Sequence, residues 1–116
     1  MLIADDEPDM RTLIAHVLRA EEIDIVEAAT AEETVARWRD FRPDAIVLDQ
    51  RMPPTTGLEI AESILHEEPG QVILLFTALV DAAIRSEAER LGITACVSKD
   101  QIFDIPELLR THLTPG

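Results

Sequence analysis

Short apolar runs recur along the chain, and longer stretches of mixed apolar and polar residues separate them. Short runs rich in Ile, Val and Leu are typical of strands that are buried on both faces of a sheet. The pattern therefore predicts five strands. They are Leu2–Ala4, Ile23–Val26, Ala45–Leu48, Val72–Phe76 and Thr94–Ser98.

The stretches between these runs carry apolar residues at helical spacing, which predicts amphipathic helices. Two of them open with a Thr-x-x-Glu capping box, at Thr30 and Thr56, in which the threonine hydroxyl caps the start of the helix. Gly92 suits the position just after a helix, where glycine is favoured. The predicted helices run from Pro8 to about Glu21, from Thr30 through Trp38, from Thr56 to Pro69-Gly70, from Val80 to Leu91 and from Ile105 to Leu113.

Strands that alternate with helices predict an α/β fold, with a doubly wound parallel sheet of five strands and five helices on both of its faces. Asp24 lies inside the second predicted strand, and a charged residue there fits an edge better than the centre of the sheet. A flavodoxin-like strand order of 2-1-3-4-5 meets this condition and puts the first and third strands together at the topological switch point. The length of 116 residues predicts one domain, residues 1–116.

Composition and charge narrow the range of partners. The chain carries 10 basic and 23 acidic residues, for a net charge of −13. Direct binding to nucleic acid or to an anionic membrane is therefore not expected, because basic side chains supply most of the affinity for phosphates. The single cysteine, Cys96, cannot form an internal disulfide. Neither an apolar stretch of about 18 residues nor a basic-then-apolar leader is present, so we expect a cytoplasmic protein.

Reactive side chains follow four of the five predicted strands. Asp5 and Asp6 follow the first strand, Asp49 the third, Thr77 the fourth, and Lys99, the only lysine, the fifth. Because ligands of open α/β sheets bind at the carboxyl ends of the strands, these residues are expected to converge. Each has an ordinary explanation if taken singly, such as a helix cap, a turn residue or a surface lysine. Their joint occurrence favours one acidic pocket.

Such a pocket predicts cation-dependent phosphoryl chemistry. Carboxylates crowded into one crevice repel one another unless a cation neutralises them, and oxygen ligands without His or Cys favour Mg²⁺ or Mn²⁺. A carboxylate beside such a cation can act as a nucleophile toward a phosphoryl group, and we choose Asp49 for this role. The Lys99 ammonium and the Thr77 hydroxyl could stabilise the transferring group, and the small Ala78 leaves room beside them.

At these positions the chain resembles the receiver domain of two-component response regulators, including the stand-alone chemotaxis receivers, over essentially its whole length. The ordered set of motifs is specific, although each motif alone would be weak. The motifs are Asp5-Asp6 after Leu2–Ala4, the segment Val47–Pro53 around Asp49 with Gly57 beyond it, Thr77-Ala78, and Ser98-Lys99.

The resemblance implies that Asp49 accepts a phosphoryl group from a histidine kinase or a histidine phosphotransfer protein. It implies that Mg²⁺ is bound by Asp6, by Asp49 and by the backbone carbonyl of Arg51, with Asp5 reached directly or through water. Lys99 would pair with the carboxylate or phosphate of Asp49. Thr77 would move toward the phosphate, and the face formed by the fourth helix, the fifth strand and the fifth helix would change shape.

The chain departs from the receiver pattern at three positions. An aromatic residue is usual three positions before the lysine, where this chain has Cys96. A proline that favours a cis peptide often follows the lysine, where this chain has Asp100, and a non-proline cis bond costs about 2.5–4 kcal/mol. Pro54 is an extra proline, which is expected to stiffen the loop after Asp49.

Two alternative functions follow from these departures and from the acidic set. A degenerate receiver would act as an interaction module without phosphorylation, which Cys96 and Asp100 suggest and the complete site residues oppose. A metal-dependent phosphatase of the haloacid dehalogenase class needs an aspartate two residues after its nucleophile, where this chain has Arg51. We therefore expect a switch that is not an enzyme beyond its own phosphorylation and dephosphorylation.

The output of the switch stays open at this point. Nothing after Lys99 resembles a DNA-binding or enzymatic domain. The downstream partner could be a separate protein or an output domain tethered after Gly116, and the resemblance also allows a homodimer through the fourth and fifth helices.

Overall fold

The computed structural model describes residues 1–19 and 23–113. Its strands are β1 (Leu2–Ala4), β2 (Val26–Ala28), β3 (Ala45–Asp49), β4 (Arg51–Met52), β5 (Thr55–Thr56), β6 (Val72–Thr77) and β7 (Ala95–Ser98). Its α-helices are α1 (Pro8–Arg19), α2 (Ala31–Phe41), α3 (Gly57–Glu67), α4 (Ala82–Leu91) and α5 (Ile105–Leu113), and a 3₁₀ helix spans Lys99–Asp104.

Five of the strands form one parallel sheet in the order β2-β1-β3-β6-β7. This order is the predicted 2-1-3-4-5 once the two short strands of a small antiparallel hairpin, β4 and β5, are left out of the count. The flavodoxin-like α/β fold is thus confirmed. Strands β1 and β3 lie side by side in the middle of the sheet, so their carboxyl ends meet there.

The sheet divides the interior into two apolar cores. One core is formed against α2, α3 and α4, with Trp38, Ile64 and Leu75 among its buried residues. The other is formed against α1 and α5, with Ile14 and Phe76 among its buried residues. The alternation of side chains along the strands sends neighbouring residues to opposite cores. Helices on both faces were predicted and are confirmed.

The predicted bounds of the second strand, Ile23–Val26, were wrong. The strand begins at Val26, which pairs with Leu2 of β1, and it ends at Ala28. As the edge strand, β2 has only β1 beside it, and β1 begins at Leu2, so before Val26 only Met1 is left to bond this segment, its amino group donating to the Asp24 carbonyl at 2.9 Å. Ile23 and Ile25 instead pack against the core on the α1 side. Apolar side chains needed for packing were mistaken for strand residues.

The helix ends largely follow the predicted signals. Thr30 and Thr56 cap α2 and α3, and their side chains accept hydrogen bonds from the amides of Glu33 and Glu59. Gly92 follows α4 with a φ of 90°, in the left-handed region that favours glycine. Helix α4 starts two residues later than predicted, because the Asp81 side chain caps it.

The predicted end of the first helix near Glu21 lies outside the described residues, in which α1 extends to Arg19. Of the helices in the described ranges, none is long and apolar enough to span a membrane.

Candidate functional site

The carboxylates of Asp5, Asp6 and Asp49 meet at the carboxyl end of the central strands. Asp5 and Asp6 follow β1 directly, and Asp49 is the last residue of β3. One carboxylate oxygen from each lies within 4.8 Å of the others. Asp5 and Asp49 are fully buried, and Asp6 is partly exposed. The adjacency of β1 and β3 brings together acidic residues that lie more than 40 positions apart in the chain.

Four buried carboxylate oxygens in this cluster accept no hydrogen bond from the described part of the chain, although one of them, Asp49 Oδ1, is ion-paired with Lys99. They are Asp5 Oδ2, Asp6 Oδ1, Asp49 Oδ1 and Asp49 Oδ2. Buried acceptors without a partner are costly, so each calls for an explanation such as an ion. Three carboxylates with free oxygens and no nitrogen or sulfur donor suit a hard divalent cation such as Mg²⁺ or Mn²⁺. The residues present therefore fit the metal that the sequence predicts.

Burial and mutual repulsion make two of these carboxylates hold their protons more tightly than usual. Burial raises the pKa of Asp5 to about 6, the neighbouring charges of Asp49 and Asp6 add to the rise, and the amide of Glu7 and the charge of Lys99 oppose it. Burial also raises the pKa of Asp49, against the lowering effect of Lys99. A cation at this cluster would reverse both shifts, since it favours the charged forms.

Lys99 is the positive group that faces Asp49. Its Nζ lies 3.3 Å from Asp49 Oδ1, with the lysine side chain 21% exposed and the aspartate side chain 1% exposed. The same Nζ lies 5.8 Å from the centre of the Phe76 ring. Strand β7 leads directly into the 3₁₀ helix that begins at Lys99, so the end of the strand aims this side chain at Asp49.

The loop after Lys99 forms without a cis peptide at Asp100. Among the described residues, the peptide bond between Pro53 and Pro54 is the cis bond. The Ser98 amide donates to Gln101 Oε1 at 3.2 Å, and the Ser98 hydroxyl contacts Asp100 Oδ1. These side chains hold the turn, so Asp100 supplies a contact of its own in place of the proline that receivers usually have.

Thr77 ends β6 beside the last residue of β7, Ser98, and is buried. Its Oγ1 lies 3.4 Å from the carbonyl oxygen of Leu79 and 3.5 Å from the amide of Leu79, as donor and acceptor of two long hydrogen bonds. Ala78, which follows, is exposed. The hydroxyl is thus held by its own loop, at the end of the strand next to the one that carries Asp49.

The loop after Asp49 is closed at its base by Gln50. The Gln50 amide donates to the Phe76 carbonyl at 3.0 Å, and its carbonyl accepts from the Gly57 amide at 2.8 Å. Its side-chain Oε1 accepts from the Leu58 amide at 2.9 Å, which satisfies one free donor at the start of α3. Between these anchors, Arg51 begins the β4–β5 hairpin and its side chain is exposed.

Cys96 lies half-buried on β7 and packs against the core on the α4 side. Burial raises the pKa of its thiol, so it is a poor nucleophile at neutral pH. A cleft of about 390 Å³ opens beside it between β7 and α5, with Asp104 and Glu107 in its wall. Cys96 is small, and the cleft lies beside the position where receivers usually have an aromatic residue.

Three residues that shape the site carry no role in the sequence-based prediction: Arg11, Gln50 and Phe76. Arg11 donates to the Asp5 carbonyl, Gln50 anchors the loop after Asp49, and Phe76 lies under Lys99. Phe76 could have been found, because it directly precedes Thr77 at a strand end. Arg11 and Gln50 act through hydrogen bonds to backbone groups, and no sequence pattern signals such bonds.

Comparison with known proteins identifies the family. Residues 1–111 match the family model of the response regulator receiver domain. The chain is 29% identical over 93 residues to the chemotaxis protein CheY of Listeria monocytogenes, covering 79% of this chain and 78% of CheY. It is 37% identical over 102 residues to a protein-glutamate methylesterase/protein-glutamine glutaminase of Agrobacterium fabrum, covering 85% of this chain and 29% of that protein.

Solved structures agree with this match. The response regulator TrrA of Thermotoga maritima, determined in complex with Mg²⁺-BeF, superposes with a TM-score of 0.85 at 30% identity, covering 96% of each chain. The chain spans between 20% and 48% of the length of four curated relatives, which are transcriptional regulators and methylesterases. The activities of those longer proteins belong to them as wholes.

Proposed function

The chain belongs to the response regulator receiver domain family, and we propose that it is a phosphorylation-controlled switch whose phosphoryl acceptor is Asp49. The observation that carries the proposal is the state of the Asp49 carboxylate. Its side chain is 1% exposed, its Oδ1 lies 3.3 Å from the Nζ of Lys99, the only lysine in the sequence, and its Oδ2 accepts no hydrogen bond from the described chain. A nucleophile needs an unencumbered oxygen beside groups that stabilise charge.

The cation that fits the site is Mg²⁺ or Mn²⁺, held by Asp5, Asp6, Asp49 and the backbone carbonyl of Arg51. When bound, it neutralises the carboxylates and draws in phosphate oxygens. The oxygen-only donor set supports this choice, as does the Mg²⁺-BeF complex of TrrA. Gln50 supports the Arg51 carbonyl, because its three hydrogen bonds fix the start of the hairpin in which Arg51 lies.

The transfer step needs little movement of the acceptor. An Asp49 oxygen forms a bond to phosphorus as the bond from phosphorus to the imidazole nitrogen of a phosphohistidine donor breaks, and the electron pair of the broken bond stays on that nitrogen. The Lys99 ammonium lies where it can stabilise charge on the phosphoryl oxygens. The Thr77 hydroxyl can donate to another of these oxygens once it leaves its contacts with Leu79.

The phosphorylated state reaches a partner through the face formed by α4, β7 and α5. Thr77 lies in the segment that leads to α4, and Lys99 begins the segment that leads to α5. Movement of either side chain toward a phosphoryl group therefore changes the start of a helix on this face. The proposed donor is a histidine kinase or a histidine phosphotransfer protein. The proposed receiver of the signal is a downstream protein, a tethered output domain or a second copy of the chain.

Intact mass after incubation with Mg²⁺ and acetyl phosphate, with a rapid acid quench, tests the proposal. We expect the wild type to gain one phosphoryl group and Asp49→Asn to gain none. Asp40→Asn is the matched control, because it makes the same chemical change at an exposed position on α2 and should be labelled like the wild type. Labelling of Asp49→Asn would refute the assignment of the acceptor.

Two further outcomes separate the alternative functions. If neither acetyl phosphate nor a phosphorylated histidine kinase labels Asp49, the chain is a degenerate receiver that acts as an interaction module. Sustained hydrolysis of small phosphate esters over many turnovers would instead indicate a phosphatase. We expect no such turnover, since Arg51 occupies the position at which the haloacid dehalogenase class carries its second aspartate.

A further inference from the structure

Arg11 is a largely buried arginine beside the acidic cluster. Its hydrogen bonds in the described chain go to Glu27 and to the backbone of Asp5, and not to the carboxylates of the cluster. Its side chain is 17% exposed. Its Nη1 donates to the backbone carbonyl of Asp5 at 2.7 Å, and its Nε donates to Glu27 Oε1 at 3.1 Å. One guanidinium thus joins the loop after β1 to the edge strand β2.

Asp5 is held on three sides, and Arg11 supplies one of them. The Asp5 amide donates to the Ala28 carbonyl at 3.1 Å, and Asp5 Oδ1 accepts from the Glu7 amide at 2.9 Å. The Asp5 carbonyl accepts from Arg11. With these groups satisfied, Oδ2 is the atom of Asp5 left without a partner in the described chain, and it belongs to the carboxylate cluster.

The backbone of Glu27 is fixed in β2, although its side chain is 46% exposed. The Glu27 carbonyl accepts from Arg37 Nε of α2 at 3.0 Å, and Glu27 pairs with Ile3 of β1 in the sheet. Arg11 therefore links the Asp5 carbonyl to a side chain that starts from a fixed backbone position on β2. A planar guanidinium can serve both acceptors at once in a fixed geometry, which a lysine ammonium on a flexible stem cannot do.

We propose that Arg11 is a positioning residue for the cation site, which holds the Asp5 backbone so that Asp5 Oδ2 stays directed at the ion. The inference rests on the proposed cation-dependent function and adds a residue outside its ligand set. Groups that orient metal ligands typically change metal affinity by about 10–100-fold when they are removed. We expect a loss of this size for Arg11.

The direction in which Mg²⁺ affinity changes in Arg11 variants distinguishes a positioning role from a purely electrostatic one. A positive guanidinium near the cluster repels a cation, so a purely electrostatic role predicts that Arg11→Met binds Mg²⁺ more tightly. A positioning role predicts weaker Mg²⁺ binding in Arg11→Met. It also predicts weaker binding in Arg11→Lys, which keeps the positive charge but loses the planar guanidinium that serves both acceptors. Glu27→Gln keeps an oxygen acceptor for Nε and should stay within a few-fold of the wild type.

Calorimetric titration with Mg²⁺ alone, without any phosphoryl donor, tests the inference. We expect the Kd to rise about 10–100-fold in Arg11→Met and to rise in Arg11→Lys. Arg39→Met is the matched control, because Arg39 is an exposed arginine paired with Glu67 away from the site, and its Kd should match the wild type. If Arg11→Met does not fold, Arg11→Lys decides the result.

A second readout excludes a general structural effect. In acetyl phosphate labelling at varied Mg²⁺, we expect Arg11→Lys to need more Mg²⁺ for half-maximal rate and to reach the wild-type rate at saturation. Equal or tighter Mg²⁺ binding in the Arg11 variants, with normal binding by the wild type, would overturn the role of Arg11 and leave the proposed function standing. A wild type that binds no Mg²⁺ would overturn both.

Discussion

Gly57 lies where the backbone after Asp49 leaves no room for a side chain, so Gly57→Ala tests how tightly the site is built. A Cβ at this position would lie 2.4 Å from the Asp49 carbonyl oxygen, 3.0 Å from the Asp49 carbonyl carbon and 2.9 Å from Leu75 Cδ1. Real Cβ atoms essentially never approach within 3.0 Å of such atoms. Leu75 is fully buried and cannot move into solvent, and the Asp49 carbonyl belongs to the backbone of β3.

The expected cost is the difference between two effects. Alanine is favoured over glycine by about 1 kcal/mol in the interior of a helix and by less at its first residue, which in α3 is Gly57. Overpacking of a buried site usually costs about 1–3 kcal/mol, and here the contact is with backbone, which relaxes least. We expect Gly57→Ala to lower the free energy of unfolding by about 2 kcal/mol, and to weaken Mg²⁺ binding because Asp49 must shift.

Two other glycines, Gly70 and Gly92, serve as controls in which an added Cβ meets no close contact. An alanine Cβ at Gly70 would meet only Glu68 Oε1 at 3.6 Å, so Gly70→Ala should change stability by less than about 1 kcal/mol. Gly92 has open space but a φ of 90°, so Gly92→Ala should cost about 1–2 kcal/mol through backbone strain and leave Mg²⁺ binding unchanged.

Urea unfolding followed by circular dichroism measures the stabilities, and calorimetry measures Mg²⁺ binding. The stabilities can be compared directly if the slope of the free energy of unfolding with urea concentration is the same for all variants. A Gly57→Ala protein as stable as the wild type, with the same Mg²⁺ affinity, would refute the claim that this contact fixes Asp49.

Three further predictions concern pH, the core and a helix cap. Without a divalent cation, the free energy of unfolding should fall as the pH rises from about 4 to about 6, because folded Asp5, with a pKa of about 6 against the ordinary 3.8, binds a proton that the unfolded chain has released. At about 1.36 kcal/mol per pKa unit the loss is at most about 3 kcal/mol. The free energy of unfolding of Asp5→Asn, measured by urea unfolding at each pH, should therefore change less between about pH 4 and about pH 6 than that of the wild type. An equal change in both proteins would contradict the assignment to Asp5. Trp38→Phe removes the Nε1–H that donates to buried Gln71 Oε1 at 3.0 Å and should cost about 1–3 kcal/mol in urea unfolding, whereas a change within error would mean that the bond contributes nothing net. Asp81→Ala removes the carboxylate that accepts from the Ile84 amide at 2.8 Å and should cost about 1 kcal/mol by the same measurement, with Asp81→Asn close to wild type.

Most strand and helix ends could be predicted from the sequence because their signals are local, whereas the sheet order rested on a common topology, since Asp24, used to place the second strand at the edge, lies outside β2. An apolar run that ends in a polar residue marks the carboxyl end of a buried strand, and Thr30 and Gly92 mark a helix start and a helix end through their own backbone preferences. The convergence of Asp5 and Asp49 then follows from a strand order that is common for this pattern. Local chemistry and a general topological rule were enough for this part of the site.

Two of the features that escaped prediction depend on partners distant in sequence, and a third is too short to leave a pattern. The start of β2 is set by its register with β1, which no composition of residues 23–28 encodes. The β4–β5 hairpin has two residues in each strand, too few to show an alternating pattern. Arg11 looks like an ordinary helix surface residue until the fold brings Glu27 and the Asp5 carbonyl beside it.

The sheet separates the buried apolar residues of the described chain into two clusters, one on each of its faces. Side chains packed against α2, α3 and α4 fill one, and those packed against α1 and α5 fill the other. Energetic effects of substitutions at distant sites without shared partners usually add. A change on a helix of one cluster, far from the other, therefore needs no compensating change there. The surface offered by α1 and α5 and the surface offered by α2 and α3 can diverge at separate rates during evolution, while the carboxylates between them stay fixed.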